Sequence, residues 1–137
     1  MRNIAVEIQT TAVPRGAVAL WWFGQHSFVL KGQDRALAFD LYLSDYPGNA
    51  PRLYPPLARP EEMTGLDIVF CTHEHSDHLD PWTLGPVAAA SPQAVFVLPE
   101  SCVPLVKGLL PAERVVGSRA DVPLNINGVE IYPIPAS

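Results

Sequence analysis

The chain has 137 residues, 48% apolar and 17% charged. That suits one folded domain with its own core and excludes a disordered chain. A formal net charge of −5, without any run of Lys or Arg, argues against a nucleic-acid groove, so no nucleic-acid partner is expected.

Ile4, Val6 and Ile8 alternate with polar or small neighbours, which predicts a half-buried strand. Residues 17–23 and 28–31 read as two more strands, with Gly24 and Gln25 as the turn between them. Residues 36–39 form a short apolar run ending at Asp40, a further strand of a meander. Trp21 and Trp22 project to opposite faces of their strand; one is free for a cleft, although core packing is the default for both. A Pro-rich stretch follows at 44–65, carrying five of the fifteen prolines. It is expected as a solvated surface loop rather than a substrate lid, with a short helical turn near 60–63.

Residues 67–72 are continuously apolar after Asp67, as in a strand buried on both faces. Asp80-Pro81 is a helix start, N-cap then first-turn proline, and the helix over 81–90 is expected to kink or restart at Gly85-Pro86. Residues 94–98 form the next strand, and Ser101 is expected to cap another short helix containing Pro104. Val115-Val116 and residues 129–134 close the chain as strands, with Asn127-Gly128 as a turn. The order predicts an α/β domain over 1–137: a mixed, mostly antiparallel sheet with helices on one face. The longest apolar stretch, residues 17–23, is too short to cross a bilayer, so no membrane partner is expected. No leader is expected at the N-terminus. Cys71 and Cys102 make no disulfide framework and read as structural thiols; a soluble cytoplasmic protein is expected.

Three of the four histidines fall in one string, Thr72-His73-Glu74-His75-Ser76-Asp77-His78-Leu79-Asp80. It lies between a buried strand and a helix start, where α/β folds place ligand sites. His73 and His75 are two apart, so in extended backbone both project to one side and can share a cation. Asp77 and His78 follow as the chain turns, and can hold a second. Adjacent divalent ions activate water and polarise a carbonyl or phosphoryl oxygen. Imidazole and carboxylate suit several metals, Zn and Mn among them. Glu74 and Ser76 point the other way. A solvated polar loop is the alternative for the string.

This H-x-H-x-D-H string after an apolar strand resembles the metallo-β-lactamase superfamily. Residues 16–24, 28–31 and 38–42 are similar to the N-terminal meander of its L-ascorbate 6-phosphate lactonase branch, as are residues 66–80 and 97–103. The resemblance implies the N-terminal half of an αβ/βα sandwich, with further His and Asp ligands from a second half beyond this sequence. It implies that His73 and His75 hold one metal and that Asp77 and His78 hold another. Asp77 would also take a proton from the attacking water. Asp40 matches an acidic strand-end position and either orients a ligand histidine or serves as a turn residue. His26, in the turn Gly24-Gln25-His26-Ser27, is read as a structural histidine rather than a ligand.

The function expected is a metal-dependent hydrolase of lactones, esters or phosphoesters, using Zn or Mn and up to two ions when its site is complete. These residues alone are expected to be inactive, lacking the downstream ligands. Arg52 and Arg59 suit a small, anionic substrate. The alternative is a non-catalytic metal-binding or dimerising half-domain. The sheet face that would meet the second half is expected to be apolar and to favour a homodimer.

Overall fold

A computed structural model describes residues 2–135. The first element is a helix, α1 (Ile4–Thr10), where alternation predicted a strand. Asn3 decides the matter: its side-chain oxygen accepts from the backbone N–H groups of Ala5 (3.1 Å) and Val6 (3.2 Å), an N-cap. Ile4 and Ile8 are spaced for a helix as well as for a strand. Ala5 and Ile8 are the residues that become buried, while Val6 is half exposed.

β1 (Ala19–Trp22), β2 (Phe28–Lys31) and β3 (Ala36–Phe39) form the expected meander. Trp22 pairs with Phe28, and Phe28 with Phe39. Gly24 and Gln25 turn the first hairpin at φ 93° and 50°. β4 (Ile68–Phe70), β5 (Val95–Pro99) and β6 (Val115–Ser118) then add in sequence, each parallel to the strand before it. β7 (Leu124–Ile126) and β8 (Val129–Ile131) pair separately and antiparallel, through the expected Asn127-Gly128 turn. The α/β class therefore stands, but antiparallel pairing does not dominate: among the described residues, parallel and antiparallel pairings are three each. The reason is the crossovers. The Pro-rich stretch, the helix after β4 and the segment after β5 each return the chain to the same end of the sheet, which forces parallel pairing.

That helix, α2 (Pro81–Ala90), starts as predicted, with Asp80 accepting from the Trp82 N–H. It continues unbroken through Gly85-Pro86, without the expected restart. The next segment is a 3₁₀ helix over Glu100–Val106, and Ser101 does not cap it; Pro99 holds the cap position without a side-chain bond. Pro104 lacks the N–H that an α-helix would use there.

Both α-helices pack on one sheet face. Ala5, Ile8, Leu84, Val87 and Ala88 meet Trp21, Val29, Ala38, Val69, Phe96 and Leu98 in one core. The Pro-rich stretch is not wholly solvated. Ala58, Pro60 and Met63 are buried, a 3₁₀ turn runs over Pro60–Glu62, and the Ser91 hydroxyl donates to the Met63 carbonyl. The 3₁₀ turn packs against α2. On the other sheet face Phe39 stacks on Phe70, and a cavity of about 760 Å³ separates Leu37, Phe39, Phe70 and Val97 from Val129 and Ile131. Leu20 and Trp22 lie open there, so Trp22 departs from the core default. Among the described residues, no helix is long and apolar enough to cross a membrane.

Candidate metal centre

β1, β3 and β4 run in the same direction, so their C-terminal ends meet at one end of the sheet. This is where open α/β sheets bind ligands. Asp40 follows β3, Thr72 and His73 follow β4, and the β1–β2 turn brings His26 alongside.

Asp40 is buried, with φ at 47°, a region that few side chains adopt. Its backbone is held on both sides: its N–H donates to the Phe70 carbonyl (2.9 Å), and its carbonyl accepts from the Ser27 hydroxyl (2.7 Å). The left-handed turn sends the carboxylate into the site. There Oδ1 accepts from the Thr72 N–H (2.7 Å), and Oδ2 accepts from the Thr72 hydroxyl (2.6 Å) and from His78 Nδ1 (2.8 Å).

These bonds fix two tautomers. A carboxylate only accepts, so His78 carries a proton on Nδ1, which in the neutral ring leaves Nε2 as the free lone pair. The Thr72 hydroxyl spends its one proton on Asp40. Towards His73 Nδ1, 2.9 Å away, it must accept. His73 is then also protonated on Nδ1, with Nε2 free. Burial, followed by the neighbouring His78 and His75, pushes the His73 pKa below its ordinary value. Both effects favour the neutral ring, the form that binds a cation.

The remaining groups close around these two rings. His73 lies 4.0 Å from His78 and 4.6 Å from His75, centroid to centroid. The His75 carbonyl accepts from the N–H groups of His78 (2.8 Å) and Leu79 (2.7 Å), which coils the string back on itself. Asp77 sits between imidazoles, with Oδ1 3.9 Å from His78 Nε2 and Oδ2 3.5 Å from His26 Nε2. His26 stacks on His78 at 3.6 Å. Both its ring nitrogens are buried and without a hydrogen-bond partner, an arrangement that costs stability unless something else binds them.

The donor set fits a divalent cation. Neutral imidazole nitrogens and a carboxylate are borderline ligands suited to such ions, and a cation or its water would satisfy the orphaned His26 ring. His26, Asp40 and His78 bring one donor atom each within 4.8 Å of one another. Of the three, Asp40 is the poorer ligand, because its oxygens already accept three bonds. It acts as the residue that positions His73 and His78. Of the four residues singled out by spacing, only His78 belongs to that group; His73, His75 and Asp77 lie beside it at the distances above, without their donor atoms converging as closely. His26 joins His78 there, although its sequence suggested a structural role; its position in a tight turn beside the meander was the only signal. Cys71 is buried two residues before His73. Burial first, then Asp40, Cys102 and Asp80, pushes its thiol pKa up, so it stays a protonated core group.

No protein-family model matches the chain, and no curated protein matches it. Solved structures do. One is Igni18, a metallo hydrolase from the hyperthermophilic archaeon Ignicoccus hospitalis, at TM-score 0.60 and 21% identity over 88% of this chain. Another is CmlA, a diiron β-hydroxylase from Streptomyces venezuelae, at TM-score 0.62 and 22% identity over 90% of this chain. A variant of the CmlA β-hydroxylase matches equally, over 89%. This is part of the metallo-β-lactamase fold. At such identity the likeness is one of fold alone. The chain spans 49% of the Igni18 chain and 24% of CmlA.

Proposed function

We propose that this chain supplies half of the site of a metal-dependent hydrolase, acting on a lactone, ester or phosphoester in the manner of the lactonase-like branch. One observation carries the proposal: the Asp40 carboxylate holds His73 and His78 in the tautomer with Nε2 free, beside Asp77 and an unpartnered His26. His73, His75, Asp77 and His78 would hold the metal, Zn or Mn, with up to two ions when ligands from beyond these residues complete the site. A metal held there would supply a water of lowered pKa and a Lewis acid for the bond to be cleaved. Asp77, exposed enough to meet substrate, would take the proton from the attacking water. The two free, buried cysteines suit a reducing, cytoplasmic setting.

Elemental analysis after gel filtration tests the proposal. Protein grown with Zn or Mn is expected to retain metal, and His73→Ala to lose most of it. Turnover on lactones or phosphoesters by these residues alone is expected to be slight, and to rise when the remaining ligands are supplied. A protein with no metal in either form, in the presence of those ligands, refutes the proposal.

A second reading rests on a different observation: Leu20 and Trp22 lie open on the sheet face opposite the core. A non-catalytic half-domain that pairs through this face needs no turnover, and its mark is self-association without activity.

A further inference from the structure

Arg52 differs from the other well-placed arginines. Arg2, Arg59 and Arg119 pair with Glu7, Glu62 and Glu100. Arg114 is spent on the carbonyls of Ala88, Ser91 and Ala94. Arg52 is half-buried and has no carboxylate partner among the described residues. Its Nε donates to the Tyr54 carbonyl (3.2 Å) and Nη1 to the Tyr42 carbonyl (2.9 Å). The guanidinium lies over the Tyr42 ring, 4.5 Å from its centroid. A guanidinium has five N–H groups, so two are used to fix the fork and three remain.

The same loop offers a second unspent donor. In the structure the Asn49 side-chain oxygen accepts from the Ser76 hydroxyl, and Nδ2 is the free end. That nitrogen is buried and has no partner. Arg52 and Asn49 line one cavity of about 260 Å³, and Asp77 of the metal centre lines it too, with Gln25 and Tyr42. The volume is just below that of pockets for drug-sized ligands, so it suits a compact group.

We propose that this cavity is the substrate's anchoring subsite: Arg52 and Asn49 take a compact oxyanion, a phosphate or a carboxylate, and hold the scissile bond towards Asp77. This deepens the hydrolase proposal and rests on it for the direction of the scissile bond; the anion subsite itself stands on Arg52 and Asn49. The fork of an arginine recognises such oxyanions by paired, charge-assisted hydrogen bonds. Asp77 would repel an anion while its carboxylate is bare, so the oxyanion sits on the Arg52 and Asn49 groups rather than beside Asp77.

The test is titration of inorganic phosphate and, separately, acetate into the metal-free protein, followed by NMR and calorimetry. Saturable binding is expected for at least one anion. Arg52→Met should weaken it about tenfold or more, Arg52→Lys and Asn49→Ala by less, and Arg59→Met not at all. Preference for phosphate assigns a phosphate-bearing substrate, and preference for acetate a carboxylate-bearing one. Thermal melts check folding, since Arg52 also supports two carbonyls; Asn49→Ala leaves that fork in place. No saturable binding overturns the subsite, as does unchanged affinity in Arg52→Met, or a loss in His73→Ala with none in Arg52→Met. Metal content on the same samples is a separate readout, so loss of the metal proposal with intact phosphate binding is distinguishable.

Discussion

Asp40 gathers three hydrogen bonds on one carboxylate and so decides the state of two histidines. An amide in its place would keep the shape and change the chemistry. Asn has one acceptor oxygen and one donor nitrogen, so one of Thr72 N–H, Thr72 hydroxyl or His78 Nδ1–H would face a donor. In Asp40→Asn, we expect a loss of about 1–3 kcal/mol in urea unfolding, from a buried group left unmatched. Metal affinity should fall about 10–100-fold, the usual cost of losing a residue that orients a ligand. Nitrogen NMR of the imidazoles should show His78 or His73 leaving the Nδ1–H tautomer, which a purely structural role for Asp40 would not cause. At this scale the sequence was legible where neighbours in sequence are neighbours in space. The His73, His75 and His78 rings lie side by side because a short loop coils, although of the three only His78 brings a donor atom into the group with His26 and Asp40. The stacking of His26 on His78 depends on how a hairpin turn sits against a loop about fifty residues later, and no local pattern carries that.

Single elements were legible in proportion to their punctuation. Asp80-Pro81 marks the start of α2 to the residue, and β2 and β3 match their apolar runs. α1 was misread because spacing of four satisfies both periods, and Asn3 was the overlooked cap. What fastens α1 is polar. Glu7 accepts from the Arg2 guanidinium and from Trp21 Nε1 in β1, while Lys31 donates to the carbonyls of Ile8 and Thr11. Arg2, then Trp21, holds the Glu7 carboxyl at about 2, below its ordinary value of 4.5. A depressed folded-state pKa means the contribution is present in full above about pH 4.5 and fades as pH falls towards 2. Melting temperatures of wild type and Glu7→Gln should therefore differ at pH 6 and converge between pH 4.5 and 2. A gap that stays constant over that range would show that the pairing does not anchor the helix. The effect should be small, since the pair is exposed and screened by salt.

For the molecule as a whole, one sheet face is covered by helices and the other is only partly covered, by the β7–β8 hairpin. The binary pattern foresaw a two-sided sheet, since residues 67–72 have no polar face. It did not foresee the even balance of parallel and antiparallel pairs, because crossovers are set by what lies between strands. The open part of the second face is centred on β1, whose Leu20 is 59% exposed and whose Trp22 is 60% exposed. β1 is also an edge strand, pairing only with β2. An edge strand with exposed apolar side chains is a template for association unless another unit covers it. In the hydrolase proposal that unit carries the remaining ligands; in the half-domain reading it is a second copy. Leu20→Lys places a charge at the centre of this patch without touching the core or the metal centre. Its unfolding free energy should stay within about 0.5 kcal/mol of wild type, as for ordinary surface changes. Light scattering at micromolar concentration should show wild type above monomer mass and Leu20→Lys at monomer mass. A wild-type monomer removes the homodimer and leaves the face to the further unit of the hydrolase proposal. A dimer indifferent to Leu20→Lys moves the contact elsewhere. Wild-type association that disappears when the ligands of the hydrolase proposal are added, with metal uptake rising together, would tie the open face and the candidate metal site to the one further unit that proposal requires.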